Sequence, residues 1–206
     1  MKLFELFGSS KPTTKDIEKA AELLLQNCQP YLKEIDYNIG GNRIFRGMHV
    51  DHKSFIKEYK VNKARPPKDT PMNIHKTADE WFNKKFHIKF RSQGLFGFGA
   101  VVSANNYGRV YTIFPIGEFD YCYSNAYDDL TEIISAKAPA KATAEDIEEI
   151  LEDGYYKFNV DLVKVINKKE WNEIMISCDS YYAIPFESYR DEYVDLVKTF
   201  KEIRSK

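Results

Sequence analysis

Ile17, Ala20, Ala21, Leu24, Leu25 and Cys28 recur at helical spacing behind the hydroxyls of Thr13 and Thr14, and the pattern predicts an amphipathic helix of about four turns. Pro30 should end it, because the residue before a proline is pushed out of the helical region. Asn42 to Val50 mixes Ile44, Phe45 and Val50 with polar positions behind Gly40-Gly41, which predicts a strand leaving a turn. Asp51 to Val61 reads as a short helix or an irregular segment. Arg65-Pro66-Pro67-Lys68-Asp69-Thr70-Pro71 reads as a loop, since its prolines can continue neither a helix nor a strand. Thr77-Ala78-Asp79-Glu80 has capping-box spacing and predicts a short helix carrying Trp81, Phe82 and Lys85. Phe86, Ile88 and Phe90 then alternate with His87, Lys89 and Arg91, the period of a half-buried strand with a cationic outer face.

In the second half, Val110 to Phe114 and Phe119 to Tyr123 are rich in aromatic and branched residues and predict two strands joined through Pro115 and Gly117. Ala136 to Ala144 has the Ala/Lys/Pro composition of a linker or movable loop. Thr143 to Asp146 can cap a helix bearing Ile147, Ile150 and Leu151, with Gly154 closing it. Tyr155 to Val165, Glu173 to Ile176 and Ser180 to Ile184 read as strands. A terminal helix should bury Tyr189, Tyr193, Leu196, Val197, Phe200 and Ile203. Helices and strands intermix without internal repeats or βαβ regularity, which predicts an α+β class. The expected organisation is one domain over 1–206, with a helical region at 1–40, a mixed core at 41–185 and a C-terminal helix at 186–206.

Composition narrows the picture. With 206 residues, 43% hydrophobic and 15% aromatic, the chain can bury one sizeable core. Thirty basic and 31 acidic residues leave a net charge of -1, so no global field draws it to nucleic acid or membrane. Cys28, Cys122 and Cys178 are too far apart for a CxxC or Cys/His ligand set, and read as core thiols of a reduced, cytoplasmic protein with no metal site. The apolar residues of Met1 to Phe7 are broken by Lys2 and Glu5 and match neither a signal peptide nor a membrane span. His49, His52, His75 and His87 lack an accompanying ligand pattern and read as surface or locally hydrogen-bonded.

Two short segments carry candidate chemistry. Phe45-Arg46-Gly47 offers a planar guanidinium suited to paired phosphate oxygens beside a residue that lets a ligand approach the backbone. Far downstream, Glu170-Trp171-Asn172-Glu173-Ile174-Met175-Ile176 sets a carboxylate at the entrance of an apolar strand, ahead of the aromatic run Ser180-Tyr181-Tyr182. Taken in this order, the two resemble the first and last parts of the mono-ADP-ribosyltransferase site of the Arg/Ser/Glu type. The resemblance spans about Arg43 to Ile184. Its middle part departs: counting back from Ser103-Ala104-Asn105-Asn106-Tyr107-Gly108, the expected Ser-Thr-Ser falls near Gly97-Phe98-Gly99, where no hydroxyl stands.

That resemblance implies a fold of two packed, mainly antiparallel sheets with flanking helices, and NAD as a substrate. Arg46 and Gly47 would hold its phosphates or ribose. Ser92 would replace the missing hydroxyl, Phe96 or Phe98 would cover the nicotinamide, and Tyr107 would belong to the aromatic turn beside them. Glu173 would be the catalytic carboxylate, because a fixed negative charge favours the oxocarbenium-like ribose of the transition state over the ground state. Arg46 and Glu173 must then converge. Trp171 stands where arginine-modifying members carry a second glutamate, so the implied acceptor is a macromolecule, protein or nucleic acid, other than a protein arginine. Small transferases of this kind resemble bacterial or phage effectors, which would place the chain in a host cytoplasm. The Lys84 to Arg91 strip and the Ala136 to Ala144 loop are the expected acceptor surface. Two alternatives stay open: a catalytically silent relative that binds a protein partner, and an unrelated interaction or structural domain.

Overall fold

A computed structural model of the protein describes residues 11–50, 53–67, 70–128, 130, 133, 136, 142–168 and 172–206. Helix α1 (Thr14–Asn27) opens on a capping box in which Thr13 and Asp16 satisfy each other's backbone amides. The helix ends before Pro30, as expected, and the proline belongs to a second helix. It sits in the first turn of α2 (Gln29–Glu34), where its missing N–H costs nothing.

Eight described strands form one antiparallel sheet: β1 (Ile44–Met48), β2 (Lys57–Lys60), β3 (Leu95–Phe98), β4 (Arg109–Ile116), β5 (Asp120–Tyr123), β6 (Lys157–Phe158), β7 (Glu173–Ser177) and β8 (Ser180–Pro185), ordered β2-β8-β4-β1-β3-β7-β5-β6. The expected α+β class is present; the two separate sheets are not. The nearest approach to a division is the join between β1 and β3, which share the single partner pair Phe45↔Phe98, whereas β1 and β4 are paired along the whole of Ile44 to Met48.

Both faces of the sheet are covered, and alternation along the strands shows it. Leu95, Tyr121, Tyr123, Ile174 and Ile176 join a core with α1, α2 and α8 (Arg190–Arg204), while Phe96, Cys122 and Met175 join a second core with α3 (Met72–Phe86) and α6 (Ala144–Asp153). A strand buried on both sides needs apolar residues at consecutive positions, hence the Ile-Met-Ile of β7. Cys28, Cys122 and Cys178 are buried free thiols.

Several local expectations are overturned. The Phe86 to Arg91 alternation is not a strand: α3 runs through to Phe86, His87 closes it in the left-handed region at φ 60°, and α4 (Phe90–Gln93) follows. Ile88 and Lys89 are only the joint between two helices. Thr77 to Glu80 caps nothing, because α3 has already started at Met72, and Asp79 faces inward. Asp51 to Val61 contains β2, an edge strand whose Lys57 and Lys60 are exposed, a common guard of sheet edges. Tyr155 to Val165 gives only the two-residue β6 before it turns into α7 (Leu162–Ile166). Much of the Ala136 to Ala144 loop lies outside the described residues, as do Glu170, Trp171 and His52. No described helix is long and apolar enough to cross a membrane.

Candidate functional site

The sheet order puts the strand of Arg46 (β1), the strand of Phe96 and Phe98 (β3) and the strand of Glu173 (β7) side by side. Register assigns their faces. Phe45 pairs with Phe98 and Phe98 with Glu173, so these three share one face, while Arg46, paired with Tyr111, starts on the other. The two halves of the candidate site therefore meet only at the β1–β3 join. There Arg46 Nη1 donates to the Phe96 carbonyl at 2.6 Å, a backbone acceptor that a fuller β1–β3 ladder would have used.

Phe96 is the hub. Two guanidiniums lie over its ring, that of Arg65 at 4.0 Å from the centroid and that of Arg91 at 4.9 Å. Arg91 Nη1 also pairs with Glu173 Oε2 at 3.3 Å, both side chains being nearly buried. Arg65 comes from the segment between β2 and α3, which is tied down along its length, Val61 N donating to the Asp179 carbonyl at 2.9 Å and Lys63 pairing with Asp179 at 3.2 Å. Arg65 N donates to the Ser92 carbonyl at 3.0 Å, Arg65 Nη2 to the Arg91 carbonyl at 3.1 Å, and Lys63 Nζ to the Cys178 carbonyl at 2.7 Å. Burial, then the charges of Arg91 and Arg46, bring the Arg65 pKa down to about 10, while Glu173 and Asp79 oppose the shift; all these charges are within electrostatic reach of Arg65.

Asp79, on α3, orders the other side. Its Oδ1 accepts the backbone amides of Arg91 at 2.8 Å and Ser92 at 3.1 Å, which fixes the start of α4, and its Oδ2 lies 3.7 Å from His75 Nε2. His75 is buried rather than at the surface. Desolvation lowers its pKa, an effect opposed by Asp79 and reinforced by Arg91 and Arg65, so the ring is neutral near pH 7. Among the described residues, Arg46 Nε, Arg65 Nε and His75 Nδ1 are buried polar atoms without hydrogen-bond partners. Among the described residues no His/Cys/Asp/Glu group suited to a metal occurs.

The remaining expected residues sit apart from this hub. Gly47 is fixed by packing: a Cβ there would come 2.1 Å from the Ala104 carbonyl oxygen. Phe98 stacks on Tyr107 with centroids 5.4 Å apart and belongs to a small core with Phe45, Ala104 and Val110. The Ser92 contacts described here are those of its backbone. Arg91 is buried in the hub and is no part of a basic surface strip, whereas Lys84, Lys85 and Lys89 are exposed. Sequence reasoning missed Arg65, Asp79 and His75. Arg65 opens a proline-rich segment that gives no sign of its partner, and Asp79 was hidden inside an apparent capping motif. Comparisons with family models, with curated proteins and with solved structures find no match.

Proposed function

We propose that the chain is an NAD-dependent mono-ADP-ribosyltransferase acting on a macromolecular acceptor, with Glu173 as its carboxylate and Arg46 and Arg65 as donors to the diphosphate. The observation that supports this reading is that Arg46 and Arg65 both contact Phe96 and that Glu173 is linked to the same ring through Arg91, with Arg46 and Glu173 in the chain order that the resemblance requires though on opposite faces of the sheet. Among the described residues Arg46, Arg65 and Arg91 outnumber Asp79 and Glu173, a balance that suits an anion. The buried Nε atoms of Arg46 and Arg65 are donors of the kind that phosphate oxygens satisfy.

In the reaction the bond between ribose C1′ and the nicotinamide nitrogen breaks, nicotinamide leaves with the electron pair, and C1′ bonds to an acceptor nucleophile that gives up its proton. Glu173 would stabilise the positive ribose. Phe96, with the guanidiniums of Arg65 and Arg91 over its ring, would position them.

A second reading has its own footing. The Arg91 pair neutralises Glu173, and Gly97-Phe98-Gly99 supplies no hydroxyl, as a silent relative that only binds a partner would allow. Labelled NAD added to cell extract separates the two. Transfer of label to a protein or nucleic acid by the wild type, and its loss in Glu173→Gln, is expected; equal labelling by both would remove Glu173 from its role, and none by either would favour the silent relative.

A further inference from the structure

Away from the Phe96 hub, where β1 begins and α8 packs against it, lies a cavity of about 510 Å³ lined by Gly40, Arg43, Phe186, Arg190, Tyr193, Val194, Val197 and Lys198. Its lining contains three cations and no acidic residue. Arg43 is half-buried and caged: its guanidinium carbon is 5.1 Å from the Phe45 ring, 5.4 Å from Phe186 and 5.2 Å from Tyr193. Among the described residues its buried Nε has no hydrogen-bond partner, and no carboxylate lies within ion-pair distance of it.

A guanidinium withdrawn from water without a counter-charge is unfavourable, and the faces of three rings offset only part of that cost. Arg190 lies 5.6 Å from Phe186 and adds a second planar donor at the rim. Lys198 supplies a third charge, partly answered by Asp195 at 3.1 Å. Beside these cations Val194 and Val197 offer an apolar wall, Val194 being 53% exposed.

We propose that this cavity is a binding site for a small organic anion, a phosphate or carboxylate on an apolar body, with Arg43 as the anchoring donor, Arg190 and Lys198 closing over the charge, and Val194 and Val197 receiving the body. The volume suits a ligand of modest size, since small-molecule sites run from roughly 300 to 1,000 Å³. The site is independent of the transferase reading, because none of its lining residues belongs to the Phe96 hub.

Phenyl phosphate is the probe, titrated into the full chain at low ionic strength and followed by calorimetry and by the methyl resonances of Val194 and Val197. Saturable binding with shifts at those methyls is expected. Inorganic phosphate should bind at least about tenfold more weakly, because it buries no ring. Arg43→Met, which keeps the apolar stem, should lose at least about tenfold in affinity with the loss of the charge-assisted donors. Should that variant fail to fold, the exposed double variant Arg190→Gln/Lys198→Gln decides, with weaker binding at unchanged melting temperature expected. No binding to the wild type, binding without shifts at Val194 and Val197, or equal affinity in the double variant would overturn the proposal.

Discussion

Arg91 and Glu173 are 8% and 12% exposed at their side chains, so each is the other's counter-ion in a largely dry setting. Breaking this buried pair is costly, and Glu173→Ala should lose roughly 3 kcal/mol in urea denaturation. Glu173→Gln, which keeps an oxygen facing Arg91, should cost clearly less; an equal loss would show that the pair adds little. His75 gives a pH test. Its folded pKa lies below the ordinary 6.5, so the unfolded chain takes up a proton that the native chain refuses. The stability contributed by His75 is therefore complete above about pH 6.5 and falls as pH drops from there through the lower folded value. Melting temperatures from pH 7.5 to 5 should show this decline, and His75→Asn should flatten it; an unchanged slope would place the titration elsewhere.

At the scale of elements, two glycines let short helices pack close, Gly47 of β1 against α5 (Val101–Asn105) and Gly99, just past β3, against α7. A Cβ at Gly47 would meet the Ala104 carbonyl at 2.1 Å, and one at Gly99 the Ile166 carbonyl at 2.0 Å, backbone atoms that cannot swing aside. Gly47→Ala should thus lower stability by about 2 kcal/mol even without ligand, whereas a glycine needed only for ligand approach would leave unliganded stability unchanged. The elements that sequence revealed are those with a local cause: the Thr13 and Thr143 capping boxes, the aromatic β4 and β5, the doubly buried β7. Those it hid depend on distant partners. Lys57 to Lys60 is a strand because β8 pairs with it, and Phe86 to Arg91 is two helix ends because Asp79 captures the amides of Arg91 and Ser92. Of the site, Arg46 and Glu173 were legible as motifs. Arg65 was not, since only folding brings the segment between β2 and α3 onto Phe96.

For the molecule as a whole, one continuous sheet carries Arg46 and Glu173 on opposite faces, on strands joined through β3, which pairs with β1 at a single position. The exposed basic patch shrinks to Lys84, Lys85 and Lys89, with Lys85 held at 2.6 Å by Glu152. If an acidic acceptor docks there, reversing Lys84 and Lys89 should reduce transfer while sparing hydrolysis of NAD to free ADP-ribose; a parallel loss of both would separate that surface from acceptor binding. The claim that organises the rest is that Glu173 acts on NAD held by Arg46 and Arg65. A time course of nicotinamide released from NAD tests it most directly. The predicted result is steady release by the wild type, a fall of about a hundredfold or more in Glu173→Gln at unchanged NAD affinity, and weakened NAD binding in Arg46→Ala. Wild-type protein that releases no nicotinamide and binds no NAD would contradict it.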